Sequence, residues 1–154
     1  MKHIISTLLF VGLTVTVYSQ RTEAEMLQNI YGMEKKAILN EFVKFSSDES
    51  QNTFWELYNT YEEKRKVLGN ERVQLLDRYV REYLNMPESE MELLLDEVTT
   101  MNSDYVKLLN SYVKKIKKKV GVKQAAQFYQ IENYLNNAIN TSIAEEIPFI
   151  GELE

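Results

Sequence analysis

Residues 54–79, FWELYNTYEEKRKVLGNERVQLLDRY, contain the most regular pattern in the chain. Side chains recur at alternating intervals of four and three residues, and the set comprises Phe54, Tyr58, Tyr61, Arg65, Leu68, Arg72, Leu75 and Tyr79. This spacing places side chains on one face of an α-helix. The stretch therefore predicts a long helix that buries the stripe. The sequence leaves open whether Gly69-Asn70 kinks or interrupts this helix.

Two members of this stripe, Arg65 and Arg72, are charged. The aliphatic part of an arginine packs against apolar neighbours while its guanidinium group reaches a carboxylate. We expect each arginine to be at least half buried and to pair with an acidic residue of another helix.

The same periodicity extends to both sides. A first segment, Thr22 to Lys44, is interrupted at Gly32, and Ser46 or Ser47 can cap the next helix. Pro87 suits the first turn of a third helix. The stripe of that helix comprises Met91, Leu94, Val98, Met101, Tyr105, Leu108, Tyr112 and either Lys115 or Ile116. The last helix, about Lys123 to Ile143, should bury Ala125, Phe128, Ile131, Leu135, Ala138 and Ser142.

These segments predict an all-α fold of about four helices, in which the two longest form an antiparallel hairpin. The stripes fit either a small bundle or a curved hairpin that forms a homodimer. The domain organisation expected is a signal peptide at residues 1–19, a helical domain at 20–144 and an irregular tail at 145–154.

The first 19 residues have the layout of a secretory signal peptide. Lys2 and His3 give a basic start, residues 4–17 carry no charge, and Val17-Tyr18-Ser19 resembles a cleavage site. The apolar run is shorter than the ~20 residues of a membrane-spanning helix. We therefore expect a periplasmic protein that is cleaved between Ser19 and Gln20 and contacts the membrane only through the signal peptide.

Composition excludes several classes of site. The chain has no cysteine, its single histidine is His3, and its net charge is −5. Cleavage after Ser19 removes His3, so the mature chain has neither His nor Cys. A zinc or haem site and a His-based triad therefore lack their usual residues. The negative charge disfavours nucleic acid as a partner. The acidic group Glu88, Glu90, Glu92, Asp96 and Glu97 is interpreted as a solvated helix start. We expect no catalytic site, no cofactor and no metal.

Two groups of side chains are candidates for binding polypeptides. Tyr58, Tyr61 and Tyr105 lie on the predicted stripes, where they form either a buried core or an open face. Lys114, Lys115, Lys117, Lys118 and Lys119 crowd the end of the third helix. They form either a solvated helix end or a basic patch that attracts acidic partners.

The chain resembles the Spy/CpxP-like (LTXXQ-motif) family of small periplasmic helical proteins, in the divergent form found in Bacteroidetes. Phe45-Ser46-Ser47-Asp48-Glu49 stands where the family has Leu-Thr-x-x-Gln, and Phe54-Trp55-Glu56-Leu57-Tyr58 and Tyr61-Glu62-Glu63-Lys64-Arg65 follow it. Residues 123–133, KQAAQFYQIEN, resemble the closing helix of the family. The resemblance implies an ATP-independent chaperone or an envelope-stress accessory protein.

Two functions therefore remain open. The first is a chaperone that holds non-native polypeptides, and the second is an adaptor or sensor that restrains a single inner-membrane partner. A broad exposed aromatic face would favour the chaperone. A buried aromatic core with one small groove would favour the adaptor.

Export can be tested directly. The mature protein recovered from the cell envelope should begin at Gln20, because the cleavage site follows Ser19. Intact-mass measurement and N-terminal sequencing check this. Recovery of a chain that retains Met1 would contradict the prediction.

Overall fold

The computed structural model describes residues 35–149, which form four helices and no strand. We name them α1 (residues 35–42), α2 (Asp48–Glu82), α3 (Glu88–Lys119) and α4 (Val122–Glu146). The predicted all-α fold, a small bundle built on a hairpin, is confirmed. The signal peptide, the interruption at Gly32 and the end of the tail lie outside the described residues.

Local chemistry explains where the long helices begin and end. The Ser47 hydroxyl accepts a 3.2 Å hydrogen bond from the backbone N–H of Ser50, so Ser47 is the N-cap of α2. Pro87 was predicted in the first turn of α3. It is instead the N-cap, one residue before the helix begins at Glu88. Gly121 joins α3 to α4 with a φ of +154°, a conformation that side chains disfavour.

The stripe of α2 is continuous, because the helix runs through Gly69-Asn70 without interruption. Its hairpin with α3 is antiparallel. Near one end of the hairpin the rings of Tyr61 and Tyr112 are 5.5 Å apart, and near the other Arg78 pairs with Glu90. α4 then returns along α3.

The core is concentrated at the end of the bundle where α1 packs. Three of its members, Phe54, Tyr61 and Phe128, pack edge to face, with the Tyr61 and Phe128 centroids 5.0 Å apart. Edge-to-face contacts are the favoured geometry for aromatic rings. The cluster also contains Leu39, Val43, Tyr58, Leu109, Tyr112, Ile116 and Ala125.

The predicted inner face of α4 needs correction. Ala125 and Phe128 are buried as predicted, but Ala138 and Ser142 are exposed. Glu132, four residues after Phe128, is also buried, although it was not predicted to be. The helix also continues to Glu146, two residues into the predicted tail. On α3, Ile116 rather than Lys115 faces the core.

Candidate functional site: an apolar groove beyond a buried charge cluster

A cluster of charged groups lies inside the bundle. The Lys35 ammonium contacts Glu62 Oε1 and lies 2.9 and 3.1 Å from the two carboxylate oxygens of Glu132. The Tyr61 hydroxyl donates a 2.8 Å hydrogen bond to Glu132, and Arg65 Nε lies 3.0 Å from Glu62 Oε1. Lys35 is 4 % exposed and Glu132 is 1 % exposed. The cluster therefore links α1, α2 and α4 away from water.

Burial dominates the electrostatics of the cluster. Desolvation raises the pKa of Glu132 above its ordinary value, although Lys35 and the Tyr61 hydroxyl act in the opposite direction. Burial, and then the charge of Glu132, also raise the pKa of Tyr61. For Arg65, burial acts to lower the pKa, but Glu62, Tyr105 and Glu132 together outweigh it and the net shift is upward. Two buried cations thus balance two buried carboxylates.

This arrangement is suited to holding helices together. The three charged groups Lys35, Glu62 and Glu132 are all buried, and the rings of Tyr58 and Tyr61 each lie 5.6 Å from the Lys35 nitrogen. A substrate in solution has no direct access to them. We therefore interpret the cluster as structural.

For Arg65 and Arg72 of the stripe, the expected burial is correct, but the expected partners are wrong. The Arg65 side chain is buried, but its acid, Glu62, belongs to the same helix. Arg72 is partly buried, and it contacts no carboxylate in the described part of the chain. Its guanidinium lies 3.5 Å from the amide oxygen of Asn136 and 5.7 Å from the Tyr105 ring. The prediction of acids from another helix was wrong for both arginines.

The candidate binding tyrosines are not on one surface. Tyr58 and Tyr61 are inside the core, so a partner cannot contact them in this conformation, and Tyr105 is only partly exposed between α2 and α4. The tyrosines of the stripes were expected to form either a buried core or an open face, and Tyr58, Tyr61 and Tyr112 belong to the buried core. Tyr134, at 73 % exposure, points away from it.

The candidate lysines are all accessible to a partner. Lys114, Lys115, Lys117, Lys118 and Lys119 are exposed at the end of α3. The Lys115 nitrogen lies 4.2 Å from the centroid of the Tyr112 ring, a cation–π contact. Their charges also oppose the negative end of the helix dipole, which accounts for their position without a partner.

An apolar groove opens at the end of the bundle opposite the aromatic core. It lies between α2, α3 and α4, has a volume of about 260 Å³, and we call it the three-helix groove. Its aliphatic lining comprises Leu75, Leu76, Leu94, Val98, Ile143 and Ile147. The chain leaving α4 is fixed beside it, since the Tyr79 hydroxyl donates a 2.7 Å hydrogen bond to the carbonyl of Pro148.

The groove and the lysines are separate features. Lys117 is 19 residues after Val98 on the same helix, which corresponds to roughly 28 Å.

The sequence did not reveal the groove, because three helices must meet before their partly buried side chains surround a space. The one available signal was that Asn140 and Ala144, two short side chains, flank Ile143 at the far end of α4.

A second opening, of about 460 Å³, lies between α2 and α3. Its lining includes Glu71, Asp96, Glu97 and Asp104 together with Arg78. Arg78 already pairs with Glu90 and Glu97, so the acidic helix start predicted as solvated is partly tied to α2. Because its charges are internally paired or face water, this opening is the weaker candidate for a binding site.

Within residues 35–149 no three His, Cys, Asp or Glu side chains are grouped so that they could hold a metal ion. None of the described helices combines the length and apolar character needed to cross a membrane. No protein-family model, curated protein or solved structure matches the chain.

The buried cluster makes a prediction about stability. Lys35→Met should destabilise the fold by about 3–5 kcal/mol, because it leaves buried carboxylates without their shared cation. The double variant Lys35→Met/Glu132→Gln should lose less than the two single variants together, since the removed groups interact. Urea denaturation followed by circular dichroism measures both. Lys36→Met, on an exposed neighbour, is the control, and an equal loss in this control would contradict the role of Lys35.

Glu132 also predicts a pH dependence. Because its pKa is raised from 4.5 in the folded state, the folded protein keeps this proton to a higher pH than the unfolded chain does. Raising the pH through the interval between the two pKa values therefore lowers the free energy of unfolding. The stability of the wild type relative to Glu132→Gln should fall as the pH rises above 4.5, and then level off.

Urea titrations over a series of pH values measure this difference. Glu63→Gln, on an exposed residue beside the cluster, is measured in parallel as the matched comparison. A relative stability that increases with pH in the Glu132 comparison would show that the pKa is lowered.

Proposed function

We propose that the protein is an exported, non-enzymatic binding protein that holds one amphipathic segment of a partner polypeptide in the three-helix groove. The observation that supports this proposal most strongly is the groove itself, an apolar opening bounded by three helices. Amphipathic helices bind such grooves through apolar side chains at i, i+3, i+4 and i+7. The signal-peptide pattern and the Spy/CpxP-like motifs support the export and the class of protein.

Binding of a single segment agrees better with the burial than a broad chaperone surface does. The aromatic rings expected to hold varied clients, Tyr58 and Tyr61, are inside the core. What stays open is narrow, and its size suits two or three side chains of one partner. The adaptor or sensor is thus the favoured function.

The ATP-independent chaperone is kept as the second candidate for one reason. Large apolar side chains are exposed outside the groove, among them Leu84 at 62 %, Leu95 at 63 % and Tyr134 at 73 %. Scattered exposed apolar residues are common, but they could make weak contacts with unfolded chains.

A groove-filling variant tests the proposal. The probe is a fluorescein-labelled peptide with leucine at i, i+3, i+4 and i+7 and with alanine and glutamine elsewhere. We expect saturable binding at one peptide per protein by fluorescence anisotropy. Ala144→Trp should weaken binding at least tenfold, because the new ring occupies the groove. Ala126→Trp, on the exposed surface at the other end of α4, should not.

A client assay separates the two candidates. The mature protein is mixed with a chemically denatured model protein, and light scattering records aggregation without nucleotide. Little suppression at equimolar ratio, together with peptide binding that Ala144→Trp abolishes, supports the adaptor. Strong suppression by both the wild type and Ala144→Trp would refute the groove as the site and favour the chaperone.

A further inference from the structure

Arg72 differs from the other arginines in the described part of the chain. Arg65 pairs with Glu62, Arg78 with Glu90 and Glu97, and Arg81 with Asp77, whereas Arg72 has no carboxylate partner there. An arginine that is removed from water normally has an acidic partner, because an unpaired buried charge is costly. Its position in the molecule therefore requires a separate explanation.

The surroundings of Arg72 orient its guanidinium but leave its charge uncompensated. The ring of Tyr105 lies on one side at 5.7 Å, and the Asn136 oxygen accepts a long 3.5 Å hydrogen bond. A guanidinium has five N–H donors in a rigid plane, and this is the only hydrogen bond that it makes within residues 35–149. Burial lowers the pKa of Arg72, and the nearby charge of Arg65 lowers it further.

Among residues 35–149, Arg72 is also the one charged residue in the lining of the three-helix groove. The other polar members of that lining in the described part of the chain are Tyr79, Asn102 and Asn140, and none of them is a carboxylate that competes for the cation. The protein as a whole has a net charge of −5, and its second opening is lined by acids. The net charge of the protein repels an acidic partner, whereas the cation of Arg72 attracts an acidic side chain at the groove.

We propose that the segment held in the three-helix groove carries an aspartate or glutamate side chain among its apolar residues, and that Arg72 receives this carboxylate. This inference rests on the proposed function, because it specifies the chemistry of the same partner. Apolar side chains of the segment contact the leucine and isoleucine walls. The acid completes the pairing that Arg72 lacks, in a geometry suited to two parallel N–H···O bonds.

The size of the groove favours a side chain of a polypeptide over a free apolar acid. Small-molecule sites enclose most of their ligand in roughly 300–1,000 Å³. The three-helix groove has about 260 Å³ and is open along the bundle surface. It accommodates a few side chains of a segment whose backbone stays outside. A fatty acid is therefore the occupant to be excluded by experiment.

The test uses two series of labelled peptides with the leucine spacing given above. In the first series, each peptide carries a single glutamate at one of the positions between the leucines. In the second series, glutamine, the neutral isostere of glutamate, stands at the same position. With the wild-type protein, at least one glutamate peptide should bind about tenfold more tightly than its glutamine counterpart, the low end expected for a charged hydrogen bond. The preference should shrink as salt increases.

Variants of Arg72 identify the receptor of the acid. Arg72→Gln should abolish the preference for glutamate, so that each glutamate peptide and its glutamine counterpart bind this variant with the same affinity. Arg72→Lys should retain part of the preference for glutamate, because the charge remains but the planar pair of donors is lost. Arg81→Gln, which removes an exposed arginine paired with Asp77, is the control and should retain the full preference for glutamate. Thermal unfolding confirms that each variant is folded.

The outcomes separate this inference from the proposed function. If glutamate and glutamine peptides bind the wild type equally, and Ala144→Trp abolishes both, the inference fails and the proposed function stands. If no peptide binds, both fail. If decanoate binds with an Arg72 dependence and displaces every peptide regardless of its charge, the groove is a site for apolar acids and the inference is overturned.

Discussion

The Lys35 ammonium lies between the carboxylates of Glu62 and Glu132, and all three groups are buried. Such a cluster adds little net stability, since desolvation offsets most of the attraction. Its effect is on specificity. Sliding α1 or α4 by one turn would leave a buried charge without its partner, so the cluster restricts the helices to one register. The edge-to-face packing of the Tyr61 and Phe128 rings depends on that register.

The cluster divides the bundle into two unlike parts. On the side of α1, large rings such as Phe54 and Tyr112 fill the space between helices. On the other side, Asn140 and Ala144 of α4 line the groove together with Ile143, opposite the leucines of α2. The short side chains of Asn140 and Ala144 leave a space between the three helices that Ile143 does not fill. The groove thus accompanies two short side chains on this part of α4.

Periodicity and capping chemistry were sufficient for the helices, because both act within a few residues of sequence. Ser47 capped α2 as expected, and the stripe of α2 proved continuous. Glu132 was missed because a glutamate is normally assigned to the solvent side, although it falls four residues after Phe128 and three before Leu135, in phase with the buried face. Which acid meets which arginine depends on contacts between distant helices, and one sequence contains no direct signal for those contacts.

Arg65 and Arg72 show how one stripe can serve two purposes. They are seven residues apart and so face the same side of α2. Arg65 reaches Glu62, whose position is fixed by Lys35, and is satisfied inside the protein. Arg72, two turns further on, lies beyond the buried carboxylates. Within residues 35–149 its guanidinium contacts the amide of Asn136 and the ring of Tyr105 but no carboxylate. The helix that completes the core at one end therefore presents to the groove, at the other end, a cation that has no acidic partner in the described part of the chain.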